Sequence, residues 1–169
     1  MSTPLRLAGV IRESVVDGPG WRFVVFSQGC RHNCEGCQNP QTHDFNGGYM
    51  SDVDKIITEI KKDPLLKGVT LSGGDPFEQA ENFSVLAKEV HGLGLDVVTY
   101  TGYTFEQLYK AMEKNEGWRH LLSETDILID GKFVLSKKSL NCKFRGSTNQ
   151  RVIDAKKSLA AGKAVETEI

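Results

Sequence analysis

The sequence predicts an α/β fold: a partial (β/α) barrel with mostly parallel strands, open on one side. Three observations predict it. β-branched and apolar runs alternate with segments of helical periodicity, the pattern of βα units around a parallel sheet. The polar motifs follow the runs that read as strands, and ligand sites in such folds gather at the carboxyl ends of strands. The chain has 169 residues, whereas a complete eight-unit barrel takes about 250, so a barrel built from it stays unclosed. At this length residues 1–169 are read as a single domain.

Each element has its own justification. Residues 5–11 are a short, mostly apolar first strand. Asp17-Gly18-Pro19-Gly20 turns the chain, because glycine admits positive φ and proline fixes its own. The aromatic and β-branched run 21–26 reads as a buried strand leading straight into a cysteine loop. Asn46-Gly47-Gly48 breaks the chain. Ser51 with Asp54 three residues on resembles a capping box, and Val53, Ile56, Ile57 and Ile60 follow at helical spacing until Asp63-Pro64. Residues 68–71 form the next strand, opening into Ser72-Gly73-Gly74-Asp75-Pro76. A second helix carries Ala80, Phe83, Ala87 and Val90 on one face. Strand 95–100 ends in Thr101-Gly102-Tyr103, and Thr104 and Gln107 cap a third helix with Phe105, Leu108 and Met112. Strand 127–129 runs into Asp130-Gly131-Lys132. The loop 144–149 precedes a short strand near Val152, and Asp154 caps a last small helix. Phe83 and Trp118 read as core.

Composition narrows the function. Twenty-one Lys and Arg against 22 Asp and Glu leave a net charge of −1 with no basic block, which argues against nucleic acid or an anionic membrane as a general partner. No apolar run approaches a membrane span, and Met1-Ser2-Thr3-Pro4 begins nothing like a signal peptide. Three of the four cysteines are clustered, which in an unsecreted chain points to a reducing cytoplasm and metal chemistry.

Those three lie in Gly29-Cys30-Arg31-His32-Asn33-Cys34-Glu35-Gly36-Cys37, spaced C-x₃-C-x₂-C. Soft thiolates suit zinc or an iron–sulfur cluster. A four-iron cube normally takes four cysteines. Three, with no obvious fourth, leave one iron open, and an open coordination position marks a catalytic centre. The alternative is zinc completed by His32, His43 or the distant Cys142, although paired C-x₂-C knuckles are its usual signature. Otherwise His32 and His43 read as solvated loop residues and Cys142 as a structural free thiol.

In Ser72-Gly73-Gly74-Asp75-Pro76, paired glycines let a ligand approach the backbone, and Asp75 offers a carboxylate to an ammonium. Taken alone, a strand-to-helix turn explains the same residues. Taken with the cysteine loop, the pair resembles the radical S-adenosylmethionine (radical SAM) superfamily, whose fold is a barrel of this type. That resemblance implies one [4Fe–4S] cluster per chain held by Cys30, Cys34 and Cys37, which are also the catalytic residues. It further implies SAM bound at the fourth iron, with Ser72, Gly73, Gly74 and Asp75 along its methionine end and Gly36, Cys37 and Gln38 near its adenine. Superfamily members often carry an aromatic before the third cysteine, and the small activases often carry one after it. Here these positions hold Gly36 and Gln38, so their contacts come mainly from backbone.

Val16-Asp17-Gly18-Pro19-Gly20-Trp21-Arg22, leading into Gln28-Gly29-Cys30, is similar to the signature of glycyl-radical-enzyme activases. Ser72 to Pro76, Thr101-Gly102-Tyr103, Asp130-Gly131-Lys132-Phe133 and Arg145-Gly146-Ser147-Thr148-Asn149-Gln150-Arg151 resemble the small activases of anaerobic ribonucleoside-triphosphate reductase. The likeness spans residues 10–154 with its motifs in order. It implies a cytoplasmic oxidoreductase that cleaves SAM reductively and places a radical on a reductase glycine, fed by flavodoxin or a ferredoxin-type donor. Rivals are an activase of another glycyl radical enzyme such as pyruvate formate-lyase, a carboxy-deazaguanine synthase, and a plain electron carrier or zinc module. Asp130 and Lys132 suit SAM or the substrate peptide, or a surface ion pair. Arg145, Ser147 and Asn149 suit backbone or carboxylate recognition, or tertiary hydrogen bonding.

Overall fold

A computed structural model describes residues 2–37 and 39–168. Its strands are β1 (Pro4–Ser14), β2 (Arg22–Ser27), β3 (Tyr49–Asp52), β4 (Gly68–Gly73), β5 (Asp96–Tyr100), β6 (Ile127–Asp130) and β7 (Arg151–Asp154). Its helices are α1 (Val53–Lys61), α2 (Ala80–Gly92), α3 (Phe105–Ala111), α4 (Glu116–Ser123) and α5 (Ala155–Ala161). The strands form one sheet in the order β3-β1-β2-β4-β5-β6-β7, with β3 and β7 as edges, so the sheet is not closed.

The sheet is mixed, which corrects the expectation of mostly parallel strands. β2–β4, β4–β5 and β5–β6 are parallel. β1–β2, β1–β3 and β6–β7 are antiparallel. Connection chemistry is the reason. The short turn between β1 and β2 cannot make the crossover a parallel pair requires. Between β6 and β7 lies only one 3₁₀ turn, Leu135–Lys137, so no helix carries the chain back over the sheet.

Along β2-β4-β5-β6 the strand order never reverses, and crossovers of one hand then leave their helices on one face. Ile56 and Ile60 of α1, Phe83 and Ala87 of α2, Leu108, Leu121 and Ala155 share one core with Phe23, Val25, Val69, Leu71, Val97 and Leu128. Period-2 alternation turns Phe26, Ser72, Val98, Tyr100 and Ile129 to the opposite, helix-free face. A small second cluster forms there around Val98, Ile129 and Val152.

Helix starts follow local chemistry. Thr104 and Gln107 cap α3 reciprocally, and Asp154 Oδ1 accepts from Lys157 N at 3.0 Å. The cap of α1 is Asp52, which accepts from Lys55 N, while Ser51 sits in β3. Neither β3 nor α4 was expected. β3 exists because β1 offers it an edge, and α4 is short, begun by Asn115 and buried through Leu121 and Leu122. Phe83 is fully buried, and Trp118 packs at the margin of the core. Among the described residues no helix is long and apolar enough to cross a membrane.

Candidate functional site

The helix-free face holds a cavity of about 710 Å³ that reaches the carboxyl ends of β2, β4, β5 and β6. Cofactor sites usually measure about 300–1,000 Å³. Cys30, Cys34 and Cys37 line it together with Ser72, Gly73 and Gly74. Residues far apart in sequence thus meet because β2 and β4 are parallel neighbours in register to Ser27 and Gly73. Gly36 lies on an exposed turn outside the wall, where a Cβ would sit 2.8 Å from Leu135. Gln38 lies outside the described residues.

Backbone bonds stitch the two loops. Gly74 N donates to Ser27 O at 2.8 Å and Asp75 N to Gly29 O at 2.9 Å. A Cβ on Gly73, at φ +101°, would come within 2.5 Å of Ser27 O, and one on Gly74 within 2.5 Å of Gly29 O. The paired glycines therefore let two protein backbones approach, and the space a side chain would fill is occupied by the end of β2. Cys30 N in turn donates to His43 O at 3.2 Å.

Burial pushes the Cys30 thiol up to about 11 and raises Cys34 as well. Such sulfurs ionise only against a compensating cation, as a metal centre supplies. Cys37 Sγ accepts from Asn39 N at 3.4 Å and contacts His43 Nε2 at 3.3 Å. Among the described residues, no three His, Cys, Asp or Glu side chains converge as one bound metal ion requires. Three soft thiols on one cavity wall are nonetheless the kind of donor an iron–sulfur cluster takes. A second sign of fit is Arg145, whose buried Nε has no hydrogen-bond partner among the described residues; Arg145 and Lys132 both line the cavity. The pair suits an anionic group.

Other expectations separate here. Asp130 is buried and outside the cavity; its carboxylate accepts from Phe105 N at 2.7 Å and pairs with Arg151 at 2.6 Å. Ser147 Oγ donates to Asn149 Oδ1 at 2.7 Å, and Asn149 Nδ2 donates to Lys132 O at 2.8 Å. Those residues fold the 131–150 segment. Cys142 lines the same cavity as the other cysteines.

The histidines correct the expectation of solvated loop residues. His43 touches the Cys37 sulfur. The His32 side chain is 5% exposed, and its Nε2 lies 2.6 Å from Asp75 Oδ2. Asp75 is wholly buried and is not on the cavity wall. Nothing local marks His32, since its partner stands 43 positions away; only the meeting of β2 and β4 shows it.

Residues 16–153 match the family model described as a 4Fe-4S single cluster domain. The chain is 36% identical over 145 residues to the anaerobic ribonucleoside-triphosphate reductase-activating protein of Vibrio cholerae, covering 80% of this chain and 89% of that one. It is 37% identical to the protein of that name from Enterobacteria phage T4, covering 81% and 86%. The crystal structure of QueE from Escherichia coli matches with a TM-score of 0.48 at 14% identity, over 60% of this chain and 53% of that one, a likeness too partial to inform the site.

Proposed function

The chain belongs to the family of anaerobic ribonucleoside-triphosphate reductase-activating proteins, and from that premise we propose that it places a radical on a glycine of such a reductase by reductive cleavage of SAM. The observation that carries this is the meeting of three thiols and the Ser72 to Gly74 backbone on one cavity wall. Cys30, Cys34 and Cys37 would hold one [4Fe–4S] cluster. When bound, the cluster and SAM supply a 5′-deoxyadenosyl radical able to take a glycine Cα hydrogen.

The chain's own residues orient and protect. Ser72, Gly73 and Gly74 present backbone to the methionine end of SAM. Lys132 and Arg145 suit its carboxylate, as planar or point cations suit carboxylates generally. The family resemblance assigns the adenine end to Gly36, Cys37 and Gln38, of which Cys37 lines the cavity. Ile11 and Phe26 line the cavity with apolar surface, which excludes water from reactive intermediates. The unclosed sheet fits a partial barrel of radical SAM type, and its open side admits a loop of a protein substrate. The electron comes from flavodoxin or a ferredoxin-type donor, in the cytoplasm, to a chain acting as a single domain without nucleic acid or membrane.

The test mixes reduced, reconstituted protein with SAM and the anaerobic reductase without oxygen, followed by electron paramagnetic resonance. A glycyl doublet is expected, and it should vanish with a glycine-to-alanine reductase. SAM cleavage with no radical on the reductase would overturn the proposal in favour of a small-molecule substrate.

A further inference from the structure

His32 sits midway along the cysteine loop, two residues from both Cys30 and Cys34, yet its ring turns inward. Three groups grip it. Its Nε2–H donates to Asp75 Oδ2 at 2.6 Å. The Tyr103 ring meets it edge-on with centroids 4.5 Å apart. Gly102 closes the third side, where a Cβ would stand 2.7 Å from His32 Nε2. Residue 102 must therefore lack a side chain for the ring to fit.

Asp75 is equally committed. Oδ1 accepts from Phe77 N at 3.0 Å. Oδ2 accepts from Thr101 Oγ1 at 3.0 Å and Gly102 N at 2.9 Å, besides His32. Three of the four donors meet on Oδ2, and the group is wholly buried and off the cavity wall. One carboxylate thus ties together the cysteine loop, the end of β4 and the end of β5.

We propose that His32 is a positioning residue that fastens the cysteine loop to Asp75, and that Asp75 acts on this protein lock and not on the cofactor. The proposal rests on the cluster-binding reading of the three cysteines. In it the acid of the Gly-Gly-acid motif fixes where the cluster loop stands relative to the Ser72 to Gly74 backbone, and within the motif it is the backbone, not the acid, that meets SAM. The bond is charge-assisted and buried, the setting in which a single hydrogen bond contributes most.

The experiment compares the parent with His32→Ala, His32→Gln, Asp75→Asn and the His32→Ala/Asp75→Asn double variant. Before reconstitution, thiol labelling of Cys30 and Cys34 is timed, and circular dichroism checks the fold. After reconstitution, iron loss to a chelator and SAM affinity of cluster-bearing protein are measured. His32→Ala and Asp75→Asn should each label about tenfold faster and lose iron about tenfold faster, and the two should match each other in SAM affinity within about twofold, since each breaks the same bond. The double variant should be no worse than either single one, since each breaks the same bond. Gln keeps a donor near the Nε2 position, so His32→Gln should recover part of the parental rates.

Parental labelling and iron retention in His32→Ala would overturn the lock. So would Asp75→Asn weakening SAM binding tenfold with its iron retained, which would put the carboxylate on the cofactor. A parent that takes up no four-iron cluster would refute the functional reading, and labelling would still judge the lock.

Discussion

Arg22 shows how a single side chain serves the site from a distance. It is wholly buried, donates through Nε to Thr70 Oγ1 at 2.8 Å and through one terminal nitrogen to Pro19 O at 3.0 Å, and pairs with Asp96. The Gly18-Pro19-Gly20 turn is thereby bound to β4 and β5. Arg22→Met should lower unfolding free energy by about 2–4 kcal/mol, less than a fully buried pair because water still reaches Asp96; denaturant titration checks this. Single alanine replacements of Cys30, Cys34 or Cys37 should abolish four-iron uptake, whereas Cys142→Ala should keep it, measured as iron per chain. Gly74→Val deserves a broader expectation than weaker SAM binding. Its side chain would strike Gly29 O, next to Cys30, so iron retention should fall together with SAM affinity.

Among elements, the joint of α2, β5 and α4 turns on His91 in the last turn of α2. Its Nδ1 meets Glu124 at 2.8 Å and its Nε2 meets Asp126 at 2.7 Å. Burial acts to lower its pKa, but the two carboxylates outweigh this and raise it above 6.5. A raised folded-state value means the stabilisation is complete below the unfolded pKa and is lost as pH rises through the folded one. Stability should therefore decline from pH 6 upward through neutrality by about 1 kcal/mol, kept small by solvent screening of partly exposed groups. His91→Gln should flatten that slope in thermal melts taken across pH.

At the scale of the whole molecule, the decisive feature is an unclosed sheet with its helices on one face and its site on the other. Val16 and Leu140 border the cavity and are 72% and 91% exposed. Such apolar rims are where a partner's surface gains most by burial. Val16→Asp and Leu140→Asp should lower the yield of glycyl radical at limiting reductase about tenfold. SAM cleavage without the reductase should stay near parental, and comparing the two assays locates the defect in docking.

The cysteine loop, the Gly-Gly-acid motif, the capping box of α3 and the strand–helix alternation were legible in the sequence because each is local: neighbours along the chain carry the signal. The family resemblance added the expected cofactors in the same way, through motifs in order. Tertiary structure decided the rest. Sheet direction depended on which connections contain a helix, so the antiparallel β1 and β7 escaped a reading based on alternation. Asp75 and Asp130 looked like groups for a ligand; the fold also brings distant donors to each, His32, Thr101 and Gly102 to Asp75 and Phe105 and Arg151 to Asp130. His32 looked solvated because its partners, Asp75, Gly102 and Tyr103, are far away in sequence. A buried polar group must be satisfied wherever the fold brings donors together, and which donors those are is a property of packing that no local pattern contains.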